Sequence, residues 1–536
     1  MPTASASAQP LRRVGVPLFF GLLLLLGVWV YRDYGVSWDE ANNHLNGLVG
    51  LKYVAQVLVP KLAAREALNR PWIPDIRQFP DSDHGAAFEM AVSVLGYLFT
   101  DGDSRSFYLL RHLSVFLMFV MGVWALYQLG KLRFQDWRLG LLGASLLVVS
   151  PRMFAEAFYN GKDIVYMSLF LLAIYTLARL LQRPTLMRAL VHGVATAAAI
   201  DTRVQGLQLI IITFAMLALE ARFTKQPVKL SGCVLVYLVA TVVFVVMGWP
   251  YLWATSVPDL LTAIPKMGVY PWPMTNLYFG HLIPASRVPW HYTLVWIFIT
   301  TPLPYSFAAA IGFGSWLKEA VRTRLNTLHT FSGRLDFLIV LWLLAPITFT
   351  IVFKSALYDG WRHLYFVYPA LLLLAIRGLL SIGRVAKRYG QWRRLALGTL
   401  VLAGSEVVHT AVCMVQMHPH ENAYFSFLPG SVAERLFERD YWGLSYRQGL
   451  EWVLANDPAP QVPISVPWYI TYYNNSLILT PEQRARLLYS HRDSAHFRYF
   501  ITAYRWHPQS YGDSVGHEVH AIRVGGVKIL SVFKKN

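Results

Sequence analysis

Four clusters of charged residues interrupt an otherwise strongly apolar chain, and polar groups at the ends of apolar runs are costly enough to be informative. The first is Ser37-Trp38-Asp39-Glu40, followed by Asn42, Asn43 and His44. An acidic pair there can accept a proton from a hydroxyl or bind a divalent ion. It can equally be an interfacial anchor with a solvated helix start beside a tryptophan. The second cluster runs from Ser150-Pro151-Arg152 through Glu156 to Asn160-Gly161-Lys162-Asp163. Pairing of Arg152 with Glu156 at i,i+4 accounts for two of its charges and leaves Lys162 and Asp163 unexplained. A cation beside a carboxylate is what a phosphate-plus-metal site requires. The third, Asp201-Thr202-Arg203 with Gln205 and Gly206, is either an ordinary tight turn or a place for Arg203 at a phosphate. The fourth is Lys354 and Tyr358-Asp359-Gly360-Trp361-Arg362-His363. Arg362 and His363 open an apolar run, where they suit an anionic lipid head group or simply snorkel.

The elements that must hold these clusters are membrane helices. The chain has 536 residues, 55% of them hydrophobic and only 15% charged, and its mean hydropathy is +0.39. Soluble domains carry roughly 25% charged residues, so a soluble enzyme and a disordered scaffold are both excluded. The net charge of +18 does not indicate nucleic acid, because the basic residues punctuate apolar segments as positive-inside loops do. Cys233 and Cys413 stand far apart in apolar stretches and form neither a disulfide framework nor a thiolate metal site. No Walker loop, dinucleotide fingerprint or zinc-ligand spacing is present, so no nucleotide cofactor is expected. Apart from Glu89 and Glu406, no span is expected to bury a mid-helix charge, which weighs against an ion relay.

Apolar runs predict about 11 spans, near 14–30, 106–130, 139–158, 164–181, 187–201, 206–220, 231–252, 291–316, 336–353, 363–382 and 395–414. Ala86 to Thr100 is too short to cross and reads as re-entrant or interfacial. Short basic connections alternate with longer or acid-bearing ones. This puts the N-terminus in the cytoplasm and all four clusters, loops 31–105 and 253–290 and the C-terminal region outside. In loop 253–290 the aromatics of Tyr270-Pro271-Trp272-Pro273 stack on a sugar or rest at the interface. Beyond residue 414 the composition changes. Phe497 to Ala503, Glu518 to Val524 and Val527 to Phe533 read as strands, the last two joined at Gly525-Gly526. Pro463 confines Val462 to Val466 to a sheet edge, and Ser445 to Ala455 reads as a helix. The expected fold is a polytopic α-helical membrane protein, with a transmembrane domain at 1–414 and a small C-terminal α/β extracytoplasmic domain at 415–536.

Asp39-Glu40, Phe158-Tyr159-Asn160-Gly161-Lys162-Asp163 after Ser150-Pro151-Arg152, Tyr358 to His363, and Asp440-Tyr441-Trp442-Gly443 occur in one order on one expected face. Together they resemble motifs of the GT-C superfamily of membrane glycosyltransferases, closest to the bacterial type of the protein O-mannosyltransferase-like branch (family 39). The resemblance implies a membrane glycosyltransferase that takes its sugar from a polyprenyl-phosphate donor and transfers it on the extracytoplasmic face of the inner (plasma) membrane. Transfer is usually with inversion, to a glycan, lipid or protein acceptor. It implies Asp39 as the general base, beside Glu40, with Lys162 on the donor phosphate and Asp163 on the donor or on a divalent metal, Mg or Mn. Arg152, Arg203, Arg362 and His363 are added here as phosphate neighbours. The C-terminal domain does not resemble the β-trefoil insert of the eukaryotic mannosyltransferases. A polyprenyl or glycolipid transporter and a membrane scaffold are the competing readings; neither needs Asp39.

Overall fold

A computed structural model describes the chain except residues 1–7, 65–69, 225–226, 257, 259–272, 492–495 and 536. Among the described residues, eight helices are long and apolar enough to cross a membrane: Leu11–Val30, Ser104–Phe134, Asp163–Gln182, Val204–Phe223, Ser231–Gly248, Phe331–Val352, Arg362–Arg388 and Gly390–Met417. The remaining expected spans are also helical, but shorter, broken or less apolar. Leu186–Ile200 is a short apolar helix. The expected 139–158 span is two helices, Trp137–Val148 and Pro151–Tyr159, bent by 70°. Ser150 is extended there, and Pro151 cannot continue a helix because it has no N–H to donate. The expected 291–316 span breaks in the same way at Thr301-Pro302, between Tyr292–Thr300 and Leu303–Arg322. Ala87–Phe99 is a short helix packed beside Glu40–Leu58.

Burial separates the centre of the bundle from its rim. Asp163–Gln182 and Arg362–Arg388 are mostly enclosed, whereas Leu11–Val30 and Gly390–Met417 lie almost wholly on the outside. An apolar all-round helix needs no amphipathic stripe when lipid covers its other faces. Leu303–Arg322 and Tyr368–Arg388 approach so closely that a methyl on Gly312 or Gly378 would strike the other helix's backbone. Small residues permit such crossings in membranes.

Above one end of the bundle sits a five-stranded sheet. Its strands are β3 (Val462–Ser465), β4 (Leu487–Tyr489), β5 (Tyr499–Thr502), β6 (His517–Val524) and β7 (Val527–Lys534), in the order β4-β3-β5-β7-β6. β3 runs parallel to both neighbours, and β7 is antiparallel to β5 and β6. Gly525 and Gly526, with φ of +55° and +78°, make the β6–β7 turn. β3 is interior, not the edge strand that Pro463 suggests. The Pro463 carbonyl accepts from Arg498 on the β5 side, and the β3–β5 ladder begins only at Ile464, so the missing N–H falls just before that ladder. The Ser445–Asn456 helix packs against this sheet. Loop 253–290 contains a hairpin, β1 (Thr275–Tyr278) with β2 (His281–Pro284); its Tyr270-Pro271-Trp272 stretch lies outside the described residues.

Candidate active site

At the end of the bundle where the sheet domain docks lies a cavity of about 350 Å³. Asp39, His84, Lys162, Arg203, Arg362 and His363 line its polar side; Pro346, Phe349 and Phe353 line the other. Five of the eight expected site residues, Asp39, Lys162, Arg203, Arg362 and His363, therefore border one space, although they come from four separate stretches of chain. Asp163 lies immediately beneath it, joined to Arg203 and Arg362.

Each side chain is aimed by a local device. The 70° bend brings Asn160 to the start of the Asp163–Gln182 helix, where its Oδ1 accepts from the Asp163 N–H at 2.8 Å. Its Nδ2 donates to Glu156 at 2.7 Å and to Asp163 at 3.1 Å. Gly161 must lack a side chain: a methyl there would stand 2.5 Å from an Arg111 nitrogen. Arg362 enters from a turn in which Asp359 and Gly360 both take positive φ, +57° and +72°. That strained Asp359 is held by Arg505 at 2.7 Å and by Asn276 of β1, which accepts its N–H at 3.2 Å. Arg362 then donates to Asp39 at 2.7 Å and to Asp163 at 3.5 Å, with the Tyr358 and Trp442 rings on its guanidinium. Burial raises the Asp39 carboxyl, but Arg362, followed by Lys162 and Arg505, outweighs it and holds the group below the usual carboxylate range. Burial, reinforced by Arg203, draws the Lys162 ammonium down to about 8.

Three expected site residues do not line the cavity. Glu40 turns inward from Asp39: its carboxylate accepts from the Ser37 N–H at 2.6 Å and meets Arg111 at 3.3 Å and His112 at 3.2 Å, fully buried. Successive residues at a helix start diverge by roughly 100°, so the pair cannot share one cavity. Arg152 lies between Trp296 and Phe425 and donates to the Tyr424 carbonyl at 3.2 Å, away from the cavity. Nor does it pair with Glu156, which takes the hydroxyls of Tyr365 at 2.7 Å and Tyr441 at 3.0 Å. Asp163 is a poor metal ligand here, because both its oxygens are taken by Arg203, Arg362 and Asn160. Among the described residues no three His, Cys, Asp or Glu side chains gather as a metal site. The expectation of uncharged span interiors also fails: Arg111, inside Ser104–Phe134, is completely buried between Glu40 and Glu89.

The sequence reading missed the supporting residues from the C-terminal domain. Asn474 donates to the carbonyls of Ser37 at 2.8 Å and Trp38 at 3.1 Å. Asn475 accepts from the Val36 N–H at 3.2 Å. Asp440 folds its own turn through Gly443 and Ser445, and the Trp442 carbonyl within it accepts the Trp38 N–H at 3.0 Å. The Asp440-Tyr441-Trp442-Gly443 motif was visible in the sequence, but its supporting job was not.

Residues 90–249 match the model of the family described as dolichyl-phosphate-mannose-protein mannosyltransferase; this segment contains Lys162, Asp163 and Arg203. ArnT from Cupriavidus metallidurans in the apo state superposes with a TM-score of 0.50 at 13% identity, over 97% of this chain and 98% of that one. The oligosaccharyltransferase of Archaeoglobus fulgidus gives a TM-score of 0.47 at 11% identity, with 87% of this chain covered. The chain spans 63% of that enzyme's length. No curated protein sequence matches. The fold is GT-C, the protein is a multi-pass membrane protein, and the resemblance to the bacterial type of the protein O-mannosyltransferase-like branch is borne out.

Proposed function

We propose that this protein is a glycosyltransferase that moves a sugar from a polyprenyl-phosphate donor to a hydroxyl acceptor on the extracytoplasmic face of the inner membrane. The observation that carries the reading is the two-sided cavity, with Lys162, Arg203 and Arg362 on one wall and Pro346, Phe349 and Phe353 on the other. Phe349 and Phe353 are exposed rather than packed into the core, so this wall offers an open apolar surface. A lipid phosphate needs both: cations for its head and an apolar path for its tail. ArnT of Cupriavidus metallidurans, whose fold this chain shares, has been crystallised bound to undecaprenyl phosphate.

In the proposed step an acceptor hydroxyl attacks the anomeric carbon. The bond to the phosphate oxygen breaks, and polyprenyl phosphate leaves with its new charge facing Lys162 and Arg203. The hydroxyl proton passes to Asp39, whose Oδ2 is held by Arg362 while Oδ1 accepts no hydrogen bond among the described residues. Because Arg362 keeps Asp39 ionised, the basic form is always present but weakly basic. Its contribution belongs at the lower end of the roughly 10²–10⁴-fold typical of a positioned base. The positive-inside rule sets the orientation: connections such as 131–138 and 179–188, at the end far from the cavity, are basic and belong in the cytoplasm.

The test is transfer of radiolabelled sugar from a panel of polyprenyl-phosphate donors in membranes bearing wild type or Asp39→Asn at equal protein level. Loss of transfer in the variant supports the assignment. Equal transfer by both overturns Asp39 as the base.

A further inference from the structure

A second cleft lies at the opposite end of the bundle, where the Leu11–Val30 helix leans against Ser104–Phe134. Its volume is about 680 Å³, and its lining changes character along its length. Arg12, Arg13 and Lys131 form one end, and Phe20, Trp124 and Tyr127 form the shaft. No carboxylate lines it, and among the described residues none of the three cations makes a salt bridge. Lys131 instead donates to Gln128 at 2.6 Å and rests 5.3 Å from the centre of the Tyr127 ring. Arg179 stands close enough to act on the Lys131 charge, which adds repulsion rather than relief.

Like charges gathered without a counter-ion raise the energy of the folded bundle unless an anion joins them. At the same end several cations are paired with carboxylates: Arg133 and Arg377 hold Asp336, Arg377 also meets Glu319, and Arg334 meets Glu220 at 2.8 Å. What sets Arg12, Arg13 and Lys131 apart from other cations there that make no salt bridge among the described residues, such as Lys387, Arg388 and Arg394, is that they stand together beside an apolar, aromatic-walled shaft that opens between two membrane helices. The outer helix is buried along little of its length, so protein does not fill the space.

We infer that this cleft is a binding site for an anionic glycerophospholipid of the cytoplasmic leaflet. Arg12, Arg13 and Lys131 take its phosphate, and its acyl chains run along Phe20 and Trp124. The lipid bridges the first helix to the bundle and supplies the counter-charge that the protein lacks there. The inference stands apart from the glycosyltransferase reading, since it needs no donor and no Asp39.

The full-length protein, delipidated and returned to nanodiscs of phosphatidylglycerol or phosphatidylcholine, tests it by native mass spectrometry. Wild type should keep phosphatidylglycerol on release from the disc. The R12Q/R13Q/K131Q variant should lose at least about tenfold of that retention, corresponding to about 1.4 kcal/mol. The K387Q/R388Q/R394Q variant removes equal charge from the same end outside the cleft and should behave as wild type. Equal loss in both variants reduces the effect to surface charge and overturns the site. Equal retention of phosphatidylcholine overturns the demand for an anion, and displacement by equimolar undecaprenyl phosphate overturns the phospholipid as occupant. A photoactivatable phosphatidylglycerol on the wild type needs no variant to fold: label at Phe20 or Trp124 supports the cleft, and label confined to other helices rejects it.

Discussion

Asp39 and Glu40 are joined by one peptide bond and belong to two different ionic networks. Glu40 faces a closed one, in which Arg111 is completely buried between Glu40 and Glu89, with His112 alongside. Asp39 faces an open one, in which Arg362 spans Asp39, Asp163 and Asp359 at the wall of a cavity. The closed network has two carboxylates around one arginine and no room for a ligand. The open network brings Lys162, Arg203, Arg362 and His363 to a space that can hold one. Burial of charge is thus no sign of chemistry by itself; what distinguishes the two is whether cations are left facing a space.

The comparison can be broken at its hardest point by Arg111→Leu, which strands two buried carboxylates. We expect a loss of about 3–5 kcal/mol, seen as little folded protein by fluorescence-detected size exclusion; a normal yield would contradict the closed network. Next comes the pair Asp39→Asn and Glu40→Gln. Asp39→Asn should lower transfer per folded molecule by about 10²-fold, the lower end of a base's contribution, with an almost unchanged melting temperature. Glu40→Gln should do the reverse, melting lower while each folded molecule keeps most of its activity. If both variants lose activity equally, the division between the two networks falls.

A smaller effect is expected from Asn474→Ala, which removes the side-chain donor to the Trp38 carbonyl and leaves the Ser37 carbonyl with only the Glu40 N–H at 3.3 Å. A cost of about 1–3 kcal/mol should appear in kcat more than in donor KM, because the segment it holds carries Asp39. A change in donor KM alone would argue against that role. The smallest effect is on pH dependence. Lys162 is drawn down to about 8, so its charge is complete well below that pH and is lost as pH rises through it. Donor KM should rise by a few fold above about pH 8, a limb that Lys162→Arg removes because arginine stays protonated. Bound phosphate pushes the lysine back up, so the limb belongs in KM and not in kcat.

These networks were unequally visible in the sequence. Asp39, Lys162, Arg203, Arg362 and His363 stood out because each ends an apolar run, where a charge needs a reason. That criterion is local, and the residues it picked out border one cavity. It could not separate Glu40 from Asp39, since a rotation about the helix start decides which faces the cavity. It passed over Arg111, a charge well inside an apolar run and thus the plainest anomaly in the span, because attention fell on span ends. Arg505 and Asn474 carry no local signal of this role, and Trp442 only that of its motif: they act across long stretches of chain, and only the docking of the C-terminal domain gives them partners. Pro463 misled for a related reason, since its effect depends on where the neighbouring ladder begins.

The row Arg505–Asp359–Arg362–Asp39 runs without a gap from the C-terminal domain to the proposed base. A domain that helps set the ionisation of a residue more than 300 positions away in the chain is not a detachable module. Exchanging it for the domain of a relative, even one that docks well, would retune the chemistry along with the contacts. A lineage can therefore alter the acceptor side of this protein more readily by changing loops around the cavity than by replacing the cap, and workable chimeras should be those that carry Asp359, Arg362 and Arg505 across together.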